Sequence, residues 1–367
     1  MQNNSLQKKR IFIDASGVGQ GGINSILQAL ISNWPCNDEL IVAGIQKKYL
    51  FQYESKNQNR LKVLKSSNIR LIAIFQGIVY SIIFSGKTDF IISLSPSLAS
   101  IGYRQEALVI FHDFMYLDKP QFVRLLNRQY RKYANQISAR KCKAYIFVSK
   151  TTRKRFENYW PDNNKKFRII SPASNLSSLK EEIPEIARIL DREQNYLVVP
   201  AHSANKGYKY LLECYEKIRS KPFIILLAGA NSNQIKKQFS FYLSDQIIIL
   251  NWISNQAYSW LLQNANCMIF LSEYEGFGIP IKDAMTVGLP IIISDEPALI
   301  ETSDGYAAVC KLSDQSALAE MIDRYSIKLT RNKIRDSRDW RKGINELEQF
   351  VLELKNNDIT DSQNRIR

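Results

Sequence analysis

One stretch of sequence decides the fold of the domain that contains it: Ser272-Glu273-Tyr274-Glu275-Gly276-Phe277-Gly278-Ile279-Pro280-Ile281-Lys282-Asp283-Ala284-Met285. It follows an apolar, strand-like run at 267–271 and leads into a helix-like segment. A Gly-x-Gly turn lies between Glu275 and Asp283, so one carboxylate is in the loop and the other is about one turn into the helix. Such a turn offers free backbone N–H groups to anions at a helix N-terminus, and carboxylates accept hydrogen bonds from sugar hydroxyls. The stretch therefore predicts a site for a sugar joined to a diphosphate.

The same residues resemble the donor-site signature of the retaining GT-B glycosyltransferases of family 4, the glycosyl transferases of group 1. The match begins with Glu275-Gly-Phe-Gly-Ile-Pro, continues to Asp283, and ends in a Gly-x-Pro turn and a strand-like run at 291–294. The chain departs from the signature at Asp283, where the family has a Glu. The charge is kept, but the reach towards a nucleotide is one methylene shorter. The resemblance is specific over 195–312 and looser in the first half.

The resemblance implies transfer of a sugar from a nucleotide-diphosphate sugar to an acceptor hydroxyl, with retention and without a metal or other cofactor. It implies that Glu275 binds the donor sugar and supports positive charge near the anomeric carbon. Asp283 would hold the ribose. The backbone N–H groups of Phe277, Gly278 and Ile279 would hold the diphosphate or the sugar.

Lys206 follows a strand-like run at 196–200 and opens a helix-like segment. It matches the lysine that neutralises the leaving diphosphate in this family, and negative charge that develops without a metal must be met by cations and fixed dipoles. The alternative is a solvated lysine at the start of a helix. The family commonly adds an Arg five residues earlier, where this chain has Ala201. His202 or a basic residue of the first domain would then substitute, or the leaving group is less well stabilised.

A glycine-rich loop, Gly17-Val-Gly-Gln-Gly-Gly22, follows the first strand-like run and precedes a helix. Gly21 and Gly22 resemble the Gly-Gly loop that lies over the donor diphosphate in these transferases. The loop also has the form of a dinucleotide-binding G-x-G-x-x-G motif, which needs an acid at the end of the second strand. That strand-like run, at 41–45, is followed by Gln46 and two lysines, which disfavours a dinucleotide. A tight structural turn remains the other alternative.

His112 and Asp113 end the strand-like run at 107–111, and polar residues at the carboxyl end of a parallel strand face a ligand cleft. In related family 4 enzymes a His-Asp pair at this place reaches the transferred sugar. The resemblance therefore implies a catalytic contact for His112, with a core histidine satisfied by its backbone as the alternative. His202 is the other histidine of the chain, so a His-rich metal site is excluded.

Strand-like runs alternate with helix-like segments through both halves, which predicts an α/β protein with parallel, doubly wound sheets. The polar segment at 173–194 is the predicted linker between a first domain at 1–172 and a second at 195–338. Residues 339–367 would form a terminal helix and tail. The resemblance implies the GT-B architecture, in which two Rossmann-like domains face each other across a cleft and the C-terminal helix returns to the first domain.

The five cysteines lack C-x-x-C spacing and are interpreted as reduced core thiols of a cytosolic protein. The polar, basic start of the chain does not have the form of a signal peptide. The longest apolar run, Leu71 to Phe84, is too short to span a bilayer comfortably, and we expect it to be buried core.

The net charge of +15 is unevenly placed, because residues 1–172 carry about 27 basic against about 10 acidic side chains. Arg124, Arg128, Arg131 and Lys132 recur at three- and four-residue spacing, which predicts an amphipathic helix with a basic face. We interpret that face as attachment to an anionic membrane surface. An ordinary solvated face is the alternative. Nucleic-acid binding is disfavoured, because no zinc-finger, RNP or helix-turn-helix signature accompanies the charge.

These features predict a cytoplasmic enzyme, peripheral at the inner face of the membrane, that acts on a glycan or lipid-linked acceptor in surface polysaccharide synthesis of the bacterial type. Two alternatives stay open: a transferase with a soluble acceptor, and a non-catalytic binding subunit of the same fold.

Overall fold

The computed structural model describes residues 8–365 except 17, 19–20, 36, 47–59, 105, 175, 177–182, 184, 186–194, 239, 241–245 and 328–338. The chain forms two compact units, Met1–Pro172 with Arg338–Arg367, and Ala173–Ser337. Most of the predicted linker at 173–194, together with Gly17 and Gly19 of the glycine loop, lies outside the described residues.

The first unit is a parallel sheet with helices, and its inner strands are apolar runs that are buried on both faces. Its seven strands lie in the order β3-β2-β1-β4-β5-β6-β7, and every pairing is parallel. The elements are β1 (Arg10–Asp14), α1 (Gly22–Asn33), β2 (Glu39–Gln46), β3 (Leu61–Ser66), α2 (Arg70–Phe84), β4 (Phe90–Ser93), β5 (Ala107–Phe111), α3 (Met115–Asp118), α4 (Leu125–Lys141), β6 (Ala144–Phe147), α5 (Lys150–Tyr159) and β7 (Lys166–Ile169).

The second unit repeats the plan with six strands in the order β10-β9-β8-β11-β12-β13, again all parallel. Apolar side chains from the two faces of this sheet form two separate core clusters. The elements are β8 (Tyr196–Pro200), α6 (Tyr208–Cys214), β9 (Phe223–Leu227), α7 (Ser232–Gln238), β10 (Ile247–Leu250), α8 (Asn255–Asn264), β11 (Cys267–Phe270), α9 (Ile279–Val287), β12 (Ile291–Ser294), α10 (Pro297–Ser303), β13 (Ala308–Cys310) and α11 (Gln315–Tyr325). The prediction of two doubly wound α/β domains is confirmed.

The chain ends in α12 (Trp340–Arg365), which belongs to the first unit. The apolar side of this helix, which includes Ile344 and Leu347, is buried. Arg168 of β7 donates two hydrogen bonds, of 2.9 and 2.7 Å, to the carboxylate of Glu353. Residues from both ends of the chain therefore build one unit.

The prediction that Leu71 to Phe84 is buried core is wrong. These residues form α2, and the residues that it buries are the small ones, Gly77 and Ser81. The helix packs through that narrow face against the turn Leu98–Gly102, where a Cβ on Gly102 would lie 2.2 Å from Oγ of Ser81. Close contact through small residues leaves the larger side chains outside. Within the described part of the chain, Arg70–Lys87 alone has the length and composition of a membrane-crossing helix, with a mean hydropathy of 1.2 and 17% of the segment buried.

The four cysteines that the structure describes are buried and form no disulfide: Cys142, Cys214, Cys267 and Cys310. Cys36 lies outside the described residues. Burial raises the pKa of the Cys142 thiol to about 12, and that of Cys214 to about 12 as well. These thiols are therefore protonated core groups at neutral pH.

Candidate active site

The second sheet places two loops side by side at its topological switch point. Strand β8 lies between β9 and β11, and the chain leaves β8 and β11 in opposite directions along the sheet. Ligands of open α/β sheets bind at the carboxyl ends of strands at such a point. The loop after β8 carries Lys206 and the loop after β11 carries Glu275, so two residues that are 69 positions apart meet there.

Lys206 and Glu275 form an ion pair in which the lysine ammonium donates a hydrogen bond to Oε1 of the carboxylate. Both side chains are largely shielded, with 10% and 14% of their surface exposed. The hydroxyl of Ser272 donates to the same oxygen at 2.7 Å, and the Lys206 ammonium lies 5.0 Å from the centroid of the Phe270 ring. The lysine is therefore not the solvated helix-start residue of the alternative interpretation. A cation suited to a phosphate and a carboxylate suited to a sugar are held in contact.

Backbone contacts lock the two loops together. Gly207 has φ +67°, and a Cβ at this position would lie 1.8 Å from the carbonyl oxygen of Leu271. The N–H of Glu273 donates to the carbonyl of Asn205 at 2.7 Å, and the Asn205 amide donates to the carbonyl of Tyr274 at 3.1 Å. The glycine allows this approach, and the hydrogen bonds fix the position of Lys206.

The turn before α9 is fixed by a glycine and a threonine. Gly278 has φ +104°, and a Cβ there would lie 2.8 Å from Cδ2 of Leu299. The hydroxyl of Thr302 donates to the carbonyl of Phe277 at 2.6 Å. None of the hydrogen bonds formed within the described residues uses the N–H of Phe277, Gly278 or Ile279. These groups lie at the N-terminus of a nine-residue helix, where the backbone favours an anion.

Asp283 is buried one turn into α9 and already has partners. The hydroxyl of Ser174 donates to its Oδ1 at 2.7 Å, and the hydroxyl of Tyr258 on α8 also bonds to it. Burial raises the pKa of Asp283 to about 7, although the bonds from Ser174 and Tyr258 act in the opposite direction. Neither partner was predicted from the sequence. This carboxyl therefore changes charge near neutral pH, and a ribose would share it with two protein hydroxyls.

The first unit places His112 at the carboxyl end of β5, next to the end of β4. The N–H of Leu94 donates to the Asp14 carbonyl at 3.0 Å, and the carbonyl of Leu94 accepts from Nε2 of His112 at 2.6 Å. Since a carbonyl only accepts, Nε2 carries the proton and Nδ1 is the acceptor nitrogen. Burial lowers the pKa of His112, so the ring is neutral at neutral pH. One ring nitrogen is thus satisfied by the backbone, as the core-histidine alternative expects.

Asp113 has a structural role next to His112. Its Oδ1 accepts from the N–H of Met115 at 3.0 Å and from Nη1 of Arg131 at 3.3 Å. Arg131 is therefore half-buried and ion-paired rather than a member of the exposed basic face. The other three basic residues of that face, Arg124, Arg128 and Lys132, are exposed.

Gly21 and Gly22 begin α1 at the carboxyl end of β1. Gly21 has φ +117° and ψ −158°, a conformation that only glycine adopts readily, and its carbonyl accepts from the N–H of Asn24 at 3.0 Å. Strand β2 ends at Gln46 rather than at the acid that a dinucleotide-binding motif requires. The backbone conformation at Gly21 would therefore allow a ligand to approach the main chain closely.

A buried acid that was not predicted as a site residue, Asp14, lies at the end of β1. The Asp14 carboxylate accepts hydrogen bonds from the N–H of Ser16 at 3.0 Å, from the hydroxyl of Tyr103 at 2.7 Å and from the hydroxyl of Ser97. The position of this acid at the end of an otherwise apolar strand could have indicated its role from the sequence. These bonds fix the backbone that leads into the glycine loop.

Comparison with protein families finds one match, to the model described as glycosyl transferases group 1, over residues 180–337. Among known proteins, the chain is 22% identical over 196 residues to the O-antigen chain mannosyltransferase RfbU of Salmonella typhimurium, a match that covers 52% of this chain and 53% of that protein. The chain thus spans about half the length of this relative. It is 26% identical over 274 residues to the N,N'-diacetylbacillosaminyl-diphospho-undecaprenol alpha-1,3-N-acetylgalactosaminyltransferase of Campylobacter jejuni, covering 68% of this chain and 70% of that protein.

A solved structure resembles the fold of this chain. The Alr3699/HepE protein of Anabaena in complex with UDP and glucose superposes with a TM-score of 0.71 at 17% identity, over 94% of this chain and 99% of that one. At this identity the likeness concerns the fold alone.

Proposed function

We propose that the chain is a glycosyl transferase of group 1, which transfers a sugar from a nucleotide-diphosphate sugar to an acceptor hydroxyl with retention at the anomeric carbon. The match of residues 180–337 to the model of that family and the GT-B fold support this proposal. The observation that carries this proposal is the ion pair of Lys206 and Glu275 at the switch point of the second sheet. Each residue of the pair can bind one part of such a donor. The ammonium matches the diphosphate, and the carboxylate matches the sugar hydroxyls.

In the proposed reaction the bond between the anomeric carbon and the β-phosphate oxygen breaks while the acceptor oxygen bonds to the same face of the sugar. The electron pair of the broken bond stays on the leaving diphosphate, which takes up the proton of the acceptor hydroxyl. Lys206 meets the negative charge that develops on the diphosphate, and Glu275 supports the positive charge near the anomeric carbon. The N–H groups of Phe277, Gly278 and Ile279 add fixed dipoles at the start of α9.

Asp283 and His112 have supporting roles in this proposal. Asp283 accepts the ribose hydroxyls when it is ionised, and its pKa of about 7 makes this contact sensitive to pH. His112 contacts the transferred sugar as a neutral ring, with Nδ1 as the acceptor. Gly21 and Gly22 allow the backbone to approach the donor diphosphate.

We propose a lipid-linked glycan as the acceptor, in the assembly of a surface polysaccharide at the cytoplasmic face of a membrane. The names of the two relatives support this: one is an O-antigen mannosyltransferase, and the other acts on a diphospho-undecaprenol sugar. The exposed basic residues Arg124, Arg128 and Lys132 fit attachment to anionic headgroups. A soluble acceptor and a non-catalytic role are the alternatives that the tests below distinguish.

The proposal is tested by thermal unfolding in the presence of UDP, GDP, ADP and their common sugar conjugates. A ligand that binds only the folded protein raises the Tm, so the nucleotide that raises the Tm is the one that the protein binds. Transfer from the stabilising nucleotide sugar is then measured by release of the free nucleotide in the presence of a lipid-linked acceptor. Stabilisation without any release would indicate a binding subunit, and no stabilisation by any nucleotide would contradict the proposal.

A further inference from the structure

The exposed side of α2 is a continuous apolar stripe. Leu71 and Phe75 have 79% and 66% of their surface exposed, and Ile72, Ile82 and Ile83 are exposed as well. These residues recur at three-, four- and seven-residue spacing, so they lie on one face of the helix. Single exposed apolar residues are common on proteins, but a contiguous patch of large ones indicates a surface that is covered in use.

The opposite face of α2 is hydrogen-bonded to the rest of the unit, which leaves the apolar stripe exposed. The hydroxyl of Ser81 donates to the carbonyl of Ala99 at 2.7 Å, and the hydroxyl of Tyr80 donates to the carbonyl of Lys65 at 2.6 Å. The helix has 15 residues, which gives a length of about 22 Å against about 30 Å for the hydrocarbon core of a bilayer. A helix that is bonded to its own domain on one face can lie in one leaflet with its other face in the lipid.

The start of α4 continues the same surface. Arg70, the first residue of α2, donates a hydrogen bond to the side chain of Asn127, and its guanidinium lies 5.1 Å from the centroid of the Tyr130 ring. Next to this contact, Leu125 and Leu126 are exposed, Leu126 by 84%. The two helix starts therefore present their large apolar residues side by side.

The two helices that carry this surface contain no acidic residue. No acidic residue occurs between positions 60 and 88 or between positions 119 and 156. Arg70, Arg124, Arg128 and Lys132 are exposed there. Apolar side chains flanked by basic ones fit the acyl region and the anionic headgroups of a membrane surface, whereas a second copy of this chain would bring like charges together.

We propose that the stripe of α2, together with Leu125 and Leu126, inserts into one leaflet of an anionic bilayer. Arg70, Arg124, Arg128 and Lys132 then lie at headgroup level. This inference rests on the proposed function only for its purpose, which is to bring the enzyme to a lipid-linked acceptor. It differs from attachment by charge alone, because insertion persists when salt screens the basic residues.

The test is flotation of the full chain with vesicles of phosphatidylcholine and phosphatidylglycerol at about 0.1 M and about 1 M salt. We expect the wild type to float at both. The variant Leu71→Gln/Phe75→Gln should lose at least about tenfold in partition coefficient, and nearly all flotation at high salt, because burial of each large apolar side chain is worth about a decade of affinity. The matched control is Ile183→Gln/Ile327→Gln, which changes two side chains of similar exposure, 70% and 67%, in the other unit and should float like the wild type.

A second measurement shows whether the side chain at position 75 reaches the acyl chains, and the substitution that it uses keeps the apolar surface of α2. Phe75→Trp should show fluorescence quenching by lipids brominated on their acyl chains, and Ile327→Trp should not. Equal flotation of wild type and Leu71→Gln/Phe75→Gln at both salt concentrations, or an unquenched Phe75→Trp, would overturn the insertion. So would a wild type that does not float but changes from dimer to monomer with the double substitution. Nucleotide-induced Tm shifts are measured on the same variants, so failure of the insertion and failure of the proposed transferase are separate results.

Discussion

The hydroxyl of Ser174 donates a 2.7 Å hydrogen bond to Oδ1 of Asp283, across 109 positions of sequence. Asp283 is the acid at which the chain departs from the donor signature that it resembles, and its carboxyl is hydrogen-bonded to the hydroxyls of Ser174 and Tyr258. The protein thereby holds a buried carboxyl that is partly protonated at neutral pH. Two predictions concern this group.

Stability should fall as Asp283 ionises. Its pKa in the folded protein, about 7, lies above the ordinary value of 3.8, so between these pH values the folded protein retains a proton that the unfolded chain has released. The stabilisation is therefore fully present below about pH 4 and is lost as the pH rises through about 7. Asp283→Asn should flatten the decrease in Tm between about pH 4 and 7. Parallel Tm curves for wild type and variant would contradict the assigned pKa.

Donor affinity should depend on the charge and position of the same group. Asp283→Ala should weaken binding of the donor nucleotide by about 1.5–3 kcal/mol, the contribution of a hydrogen bond to a charged group. Asp283→Glu should retain or improve the affinity, since it restores the longer acid of the family. Calorimetric titration at pH 8, where the carboxyl is ionised, measures both. Equal affinity of wild type and Asp283→Ala would remove Asp283 from the donor site.

Lys206 should be essential for transfer, and its removal should also destabilise the protein. Lys206→Met should lower the rate of transfer at least about 100-fold, the effect of losing one key charge-stabilising group. It should also lower the free energy of unfolding, because Glu275 is left without its cation. Adding Glu275→Gln should restore stability without restoring activity. Near-normal transfer by Lys206→Met would show that another group meets the charge on the diphosphate.

Any side chain at Gly207 should clash with its neighbours. Gly305 also has a positive φ but has space for a Cβ, so a comparison of the two glycines separates the clash from the backbone strain. Gly207→Ala should destabilise the protein by more than the roughly 1–2 kcal/mol of a left-handed residue, because the new methyl meets the Leu271 carbonyl. Gly305 has φ +79° and no atom within 4 Å of a Cβ, so Gly305→Ala should show the strain alone. Denaturant unfolding of both variants gives the comparison. Equal losses would mean that the loop after β8 relaxes.

Reversal of the exposed basic charges should weaken attachment to membranes at low salt. Arg124→Glu/Arg128→Glu/Lys132→Glu leaves Arg131 on Asp113, so the local structure is kept. We expect less flotation with anionic vesicles at about 0.1 M salt and slower transfer to a lipid-linked acceptor, while the Tm shift with nucleotide is unchanged. Unchanged flotation would identify these residues as an ordinary solvated face.

Local patterns determined much of the fold. Strands β8 and β12 have the bounds that their apolar runs predict, because a strand buried on both faces ends where polar residues begin. Strand β3 was not predicted, since Lys62 and Lys65 interrupt its short apolar run at the edge of the sheet. The burial of α2 was predicted wrongly, because an apolar run does not say whether the rest of the chain covers it.

Only the residues of the candidate site that lie in recognisable sequence motifs could be predicted. Glu275 and Asp283 were predicted from the glycine turn between them, and Lys206 was predicted from the resemblance to the glycosyltransferase family. The pairing of Lys206 with Glu275 depends on the strand order of the sheet, which brings the ends of β8 and β11 together. The bonds of Asp283 to Ser174 and Tyr258 depend on side-chain packing between residues far apart in sequence, and no local pattern encodes such contacts.

The return of α12 to the first unit has a consequence for how the protein is made. During synthesis the strands of that unit emerge first, but Ile344 and Leu347, which complete its core, emerge only after the whole second unit. Until then the apolar surface that α12 later covers is open to chaperones and to other nascent chains. The second unit, which is one continuous segment, has every part it needs as soon as residue 337 has left the ribosome. The second unit, whose synthesis starts later, is therefore the first that can complete its fold.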